Sequence, residues 1–232
     1  MSDSAPTAHG AARAAIPRPA GLDAALRDAL ADADPARREL ADAAARWVAD
    51  AGLDYGAAKR RAVLDRYGHE RAAPRGALPD NLAIDAALGE HLALFDDEHA
   101  ARVQRMRRTA LALMRRLRGY APYLTGAVWK GIVAEHAPIH LQLFHDDAKD
   151  VQARLIDDGI DFRADELPHL RGDGQRRVEA LGFEWQGEPV VLSLYRHDDL
   201  RGALRGVPAE RGDADAVAQL IDAAALADRA TR

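Results

Sequence analysis

Apolar residues recur at helical spacing from Leu22 to about Gly119, and beyond Gly119 they fall into short alternating runs. Leu22, Leu26 and Leu30 stand at i, i+4 and i+8, one face of a first helix. Asp34-Pro35 offers a capping carboxylate followed by proline at the first helical position, which predicts a second helix to about Ala51, stopped by Gly52. Asp54 to Tyr67 reads as a third helix, closed by Gly68. His69 to Pro79 is a loop marked by Pro74, Gly76 and Pro79. Asp80 or Asn81 then caps a fourth helix carrying Leu82, Leu88, Leu92 and Phe95. A fifth, from about Asp96 to Arg118, sets Val103, Met106, Ala110, Leu113 and Leu117 three or four apart, with Gly119 as its cap.

The second half predicts strands at Tyr123-Leu124-Thr125 and Ile139 to Phe144, a helix at Ala148 to Asp158, and a short strand at Ile160-Asp161-Phe162. Leu167 to Arg177 reads as a polar loop. Val178 to Trp185 and Pro189 to Tyr195 read as a hairpin turning at Gln186-Gly187-Glu188. Short helices follow at Asp198 to Leu204 and Asp213 to Ala230. The expected class is α+β, a helical N-terminal region on a small mixed sheet of four or five strands. The expected divisions are a disordered tail over 1–20, a helical region over 21–119, an α/β unit over 120–205 and a C-terminal helix over 206–232.

Composition narrows the chemistry. The chain has 232 residues, is 48% hydrophobic but only 5% aromatic, and much of its apolar content is alanine, so the core rests on leucine. The formal net charge of −5 gives no global pull toward nucleic acid. Cysteine is absent, which removes disulfides, cysteine-bound zinc, iron–sulfur clusters and thiol nucleophiles. Met1 to Ala20 lacks the apolar stretch of a signal peptide, and no run approaches the ~20 apolar residues of a membrane helix, so a cytoplasmic protein without membrane contact is expected.

The informative run is Tyr123-Leu124-Thr125-Gly126-Ala127-Val128-Trp129-Lys130-Gly131, followed by Ile139-His140-Leu141-Gln142-Leu143-Phe144. Strand, glycine turn, second glycine and second strand resemble the opening of the polymerase-beta-like nucleotidyltransferase superfamily. The resemblance implies a Gly-Ser turn against a nucleoside triphosphate, then a strand bearing Asp-x-Asp, then a third carboxylate on a later strand. Residues two apart on a strand point the same way, about 7 Å apart, so such carboxylates can share two magnesium ions ~4 Å apart. Here Gly126 and Gly131 match the glycines, but Ala127 stands in place of serine. Pro138 and His140 occupy the two Asp positions, and Ser193 the third. Proline cannot bind a metal and neutral imidazole is a poor ligand for magnesium, so no cofactor is expected.

Three further segments, Asp54 to Ala62, Ala77 to Asn81 and Pro122 to Phe162, resemble a beta-proteobacterial group sometimes named UDP-N-acetylmuramate–alanine ligase. The Gly-rich loop ending Gly-Lys-Ser/Thr that such a ligase needs is missing from the sequence, so ligase chemistry is not expected.

Gly126, Lys130, Gly131 and His140 are the candidate nucleotide-binding residues, with Lys130 reaching a phosphate; an ordinary strand-to-helix turn explains the glycines equally. His140 and Gln142 share one strand face, which solvent alone would also produce. Glu135, Asp147 and Glu184 are the acids that could rebuild a magnesium site and serve an active enzyme, though Asp146-Asp147 also suits a helix cap. His136, His140 and His145 lack the spacing of a zinc site. Lys59, Arg60 and Arg61, with Arg102, Arg105, Arg107, Arg108, Arg115, Arg116 and Arg118, make the helical half locally basic, a face for nucleic acid or simply for water. Trp47, Trp129 and Trp185 are expected to pack. Three functions follow in order of expectation. The first is a pseudoenzyme of nucleotidyltransferase fold that binds a nucleotide or partner without transfer. The second is an active, magnesium-dependent nucleotidyltransferase with relocated carboxylates. The third is a helical module that grips nucleic acid or protein.

Overall fold

The computed structural model describes residues 16–31, 34–69, 73, 74, 76–169, 176–200 and 210–230. Five helices come first: α1 (Leu22–Ala31), α2 (Pro35–Ala51), α3 (Tyr55–Tyr67), α4 (Asn81–Phe95) and α5 (His99–Arg116). The sheet-bearing half follows as β1 (Pro122–Thr125), α6 (Gly126–Lys130), β2 (Ile139–Phe144), α7 (Ala148–Asp157), β3 (Arg163–Pro168), β4 (Arg177–Trp185), β5 (Glu188–Tyr195), β6 (Arg211–Gly212) and α8 (Ala214–Ala230). The α+β class expected from the sequence is the class observed.

Local chemistry starts and stops these elements. Asp34, Asp54, Asp80 and Asp147 each cap a helix by accepting a backbone N–H from the first turn. Gly52 and Gly68 end α2 and α3 in the left-handed conformation that favours glycine. The β4–β5 hairpin turns on Gln186 and Gly187, both with positive φ, as a two-residue turn between right-twisted strands requires.

The six strands lie in the order β3-β4-β5-β2-β1-β6. β2 and β5 are parallel, Gln142 opposite Ser193, and the other neighbours are antiparallel. Three expectations are corrected. The strand placed at Ile160 to Phe162 forms one step later, over Arg163–Pro168, because it pairs with the long β4 and takes part of the expected polar loop with it. β6, two residues long, adds a strand too short for periodicity to reveal. Residues 16–20, assigned to the tail, are packed: Ile16 lies against the sheet core and Pro19 is buried. Residues 1–15 lie outside the described residues, as does the end of the helix expected to reach Leu204, of which a single 3-10 turn at His197–Leu200 is described.

Two cores result. One joins α1, α2, α3 and α4 through Leu26, Leu40, Ile84 and Leu88. The other joins α5, α7 and α8 to one face of the sheet through Met106, Leu113, Leu141, Leu155, Leu192 and Val217. By packing, α5 therefore goes with the sheet. The extended segment after α6 stitches the two together, because its side chains alternate: Ile132 and Ala134 enter the helical core, Val133 the sheet core.

Three polar side chains of α5 hold that segment by its backbone. Arg107 is fully buried, and its guanidinium donates to the carbonyls of Val128 (3.1 Å), Trp129 (3.0 Å) and Pro17 (2.8 Å). The first two are C-terminal carbonyls of α6, which lack helical partners. Burial lowers the Arg107 pKa to about 10, so it stays charged at neutral pH. His99 Nε2 accepts the Val133 N–H at 3.1 Å, and Arg102 donates to the Val133 carbonyl at 3.2 and 3.1 Å. Gly131 closes α6 at φ +70°, and a Cβ there would lie 2.8 Å from Ile16 and 2.9 Å from the Arg107 guanidinium.

Two outcomes follow. Arg107→Met leaves these carbonyls without a donor and lowers the unfolding free energy by about 3 kcal/mol in urea titration. Burial, then the neighbouring Arg102 charge, depresses His99 to about 4. A depressed imidazole contributes stability above its unfolded pKa of about 6.5, and that stability is lost as pH falls toward 4. Urea midpoints of the wild type should fall more steeply over that window than those of His99→Gln.

Candidate functional site

The seam between the two cores opens into a cleft of about 430 Å³. One wall belongs to the helices: Val48 and Gly52 from α2, Leu53 and Asp54 before α3, Tyr55 on α3, and Asp85 and Leu88 on α4. The opposite wall belongs to the sheet half: Gly126, Ala127 and Lys130 of α6, Ile132 and Ala134, then His136 to Pro138 and His140 at the start of β2.

Asp85 sits at the bottom. It is 1% exposed and receives two donors, the Tyr55 hydroxyl at 2.5 Å and the Lys130 ammonium at 2.6 Å. A buried carboxylate needs such partners to remain ionised. Burial, with the Asp85 charge adding to it, pushes the Tyr55 phenol far above its ordinary value, so this hydroxyl stays protonated and donates. The Lys130–Asp85 pair is also a tie across the seam, since the lysine rides on α6 and the aspartate on α4.

β2 shows why its two faces differ. Ile139, Leu141 and Leu143 are fully buried in the sheet core, while His140 and Gln142 occupy the other face. His140 lines the cleft, and desolvation lowers its pKa, keeping the imidazole neutral. Gly126, at φ +69°, brings the backbone against that ring: a Cβ there would lie 3.4 Å from the His140 Cδ2. Gln142, further along, accepts from Arg211 at 3.2 Å, and Arg211 stacks over Phe144 and Tyr123.

The structure brings Gly126, Lys130 and His140 of the four candidate nucleotide-binding residues into one cleft. It places Gly131 elsewhere, against Arg107 and Ile16, as a packing glycine. Lys130 faces the cleft but is joined to Asp85. Glu135 is exposed in the turn before β2, Asp147 caps α7 beyond the far end of β2, and Glu184 is exposed near the end of β4; none lines the cleft. The positions that would carry metal-binding carboxylates hold Pro138, His140 and the buried Ser193. The carboxylates lining the cleft, Asp54 and Asp85, are held by an α3 backbone N–H and by the Tyr55–Lys130 pair. Among the described residues no group of three or more His, Cys, Asp or Glu is gathered to hold a metal ion. This donor set does not fit a magnesium pair.

Two of the site's residues, Tyr55 and Asp85, escape sequence reasoning. The signal for Asp85 is its place in Leu82-Ala83-Ile84-Asp85-Ala86-Ala87-Leu88, an apolar run in which an acid demands a partner. Nothing in the sequence says that Lys130, 45 residues away, supplies it. The basic face also shrinks. Arg102 and Arg107 are buried, Arg105 pairs with Glu188, Arg116 with Asp158 and Arg61 with Asp65. Arg108 and Arg115 remain exposed on α5. Among the described residues no helix is long and apolar enough to cross a membrane.

Scanned against protein-family models, curated proteins and solved structures, the chain matches none of them.

Removing the central acid should be costly. Asp85→Leu leaves an ammonium and a phenol without their acceptor and lowers stability by about 3 kcal/mol, Lys130→Met alone leaves the carboxylate without its cation, and the double variant recovers part of the summed loss. Additive losses in this double-mutant cycle would mean that the two side chains do not interact.

Proposed function

We propose that this protein binds a nucleoside-sized organic ligand in the seam cleft and carries out no metal-dependent nucleotidyl transfer. The observation that carries this reading is the composition of the cleft wall. Leu53, Leu88, Ile132 and Pro138 give an apolar surface, and His140, Tyr55 and the Lys130–Asp85 pair give a few fixed polar groups. A concave, mostly apolar site with a few convergent polar groups is the usual form of a small-molecule pocket, and its 430 Å³ lies within the ordinary range of about 300–1,000 Å³.

Similarity of the glycine turn and following strand to the nucleotidyltransferase superfamily favours a nucleoside-type ligand. Among the described residues no carboxylates cluster beside Gly126 and His140, which speaks against transfer, because phosphoryl chemistry with divalent ions needs hard oxygen donors around the metals. The cleft also lies across the seam, so an occupant touches both cores at once. Binding there stabilises their association, which suits a protein whose output is a ligand-dependent shape.

Thermal unfolding of the full chain with a panel of nucleosides and nucleotides checks this. A ligand at one hundred times its Kd should add about 2.7 kcal/mol of stability. Ala137→Phe, which fills the cleft, should abolish that gain while leaving the unliganded protein folded. Labelled triphosphates with magnesium or manganese should yield no transferred label. Absence of stabilisation by every compound, or labelled product made by the wild type, would reject the proposal.

A further inference from the structure

Resting on the ligand-binding reading above, we infer that the cleft discriminates against phosphate, so that its ligand is an uncharged nucleoside-type heterocycle and not the corresponding nucleotide. Among the described residues, the ionic groups lining the cleft are Asp54, Asp85 and Lys130, two anions and one cation. Carboxylates outnumber cationic side chains among them.

The cation is already committed. Lys130 donates to Asp85 at 2.6 Å, and the Asp85 side chain is only 2% exposed. A phosphate can claim Lys130 only by drawing it off a buried carboxylate. Asp85 would then lose its cationic partner and retain the Tyr55 hydroxyl as a donor, and breaking a buried pair in this way is strongly unfavourable. Asp54 adds a like charge at the rim. Its Oδ1 accepts the Ala57 N–H at 2.8 Å as an ordinary helix cap, and the residue lines the cleft.

The glycine turn does not compensate. Gly126 packs close to the ring of His140, so a group placed at the turn has that imidazole as its neighbour. That imidazole is kept neutral by burial. A neutral imidazole offers one donor and one acceptor, which suits the edge of a heterocyclic base or a ribose hydroxyl. Leu53, Leu88 and Pro138 supply the apolar surface on which a flat ring gains by leaving water.

Isothermal titration of the full chain at low ionic strength, without metal, tests this. Each of adenosine, guanosine, cytidine and uridine is compared with its 5′-monophosphate and triphosphate. At least one nucleoside should bind about tenfold more tightly than its monophosphate, with the triphosphate weaker again. Asp54→Asn keeps the helix cap and removes one charge, so it should narrow that gap. Asp85→Asn frees Lys130 and should narrow it further. If Asp85→Asn fails to fold by circular dichroism, the wild-type ratios and Asp54→Asn decide. A monophosphate that equals or surpasses its nucleoside on the wild type overturns the charge inference and leaves the binding cleft standing. Failure of every nucleoside and nucleotide to bind removes both.

Discussion

A buried guanidinium with no carboxylate beside it among the described residues is tolerable only if fixed dipoles replace the water it has lost. Arg107 meets that condition with three carbonyls, two of them the unsatisfied end of α6. The consequence reaches beyond one residue. The carbonyls must converge on α5, so α6 has one allowed orientation and the chain leaving it has one allowed path. Arg102 and His99 extend the same constraint along α5 by taking the carbonyl and the N–H of Val133. Side chains on the segment then alternate between the two cores, and Lys130 is delivered to the side on which Asp85 waits. The cleft inherits its shape from this chain of polar contacts.

The two halves of the molecule are therefore joined by polar contacts at the edges and apolar contacts between them. Ile132 and Ala134 anchor the segment in the helical core, and Lys130–Asp85 closes the opposite side. Because the buried pair is also part of the cleft wall, the proposed recognition would share its side chains with stability. Substitutions that tune binding at Lys130 or Asp85 act on the joint as well, whereas His140 and Asp54 are more separable.

Much of the architecture is legible in the sequence. Leucine spacing in α1, the Asp-Pro start of α2, the glycine stops and the Gln186-Gly187 hairpin are local signals, and local signals report local structure. The failures are long-range. β3 and β6 exist because they pair with β4 and β1, and their own patterns are weak. The arginines of α5 illustrate a different limit. Arg102 and Arg107 lie four residues from Met106 and Val103, so helical periodicity already puts them on the buried face. Counting them with the exposed arginines replaced geometry by composition. At the site, Gly126, Lys130 and His140 were legible from a motif, while Tyr55 and Asp85 sit on the facing wall, which only tertiary packing creates.

Gly131 carries a wider implication. Its left-handed backbone disfavours any side chain, and a Cβ there would force Arg107 or Ile16 to move, whatever the cleft holds or does. In a diverging lineage, selection for folding alone would preserve this glycine after any catalytic role had lapsed. A search pattern built around it would collect sequences of shared architecture with unrelated chemistry.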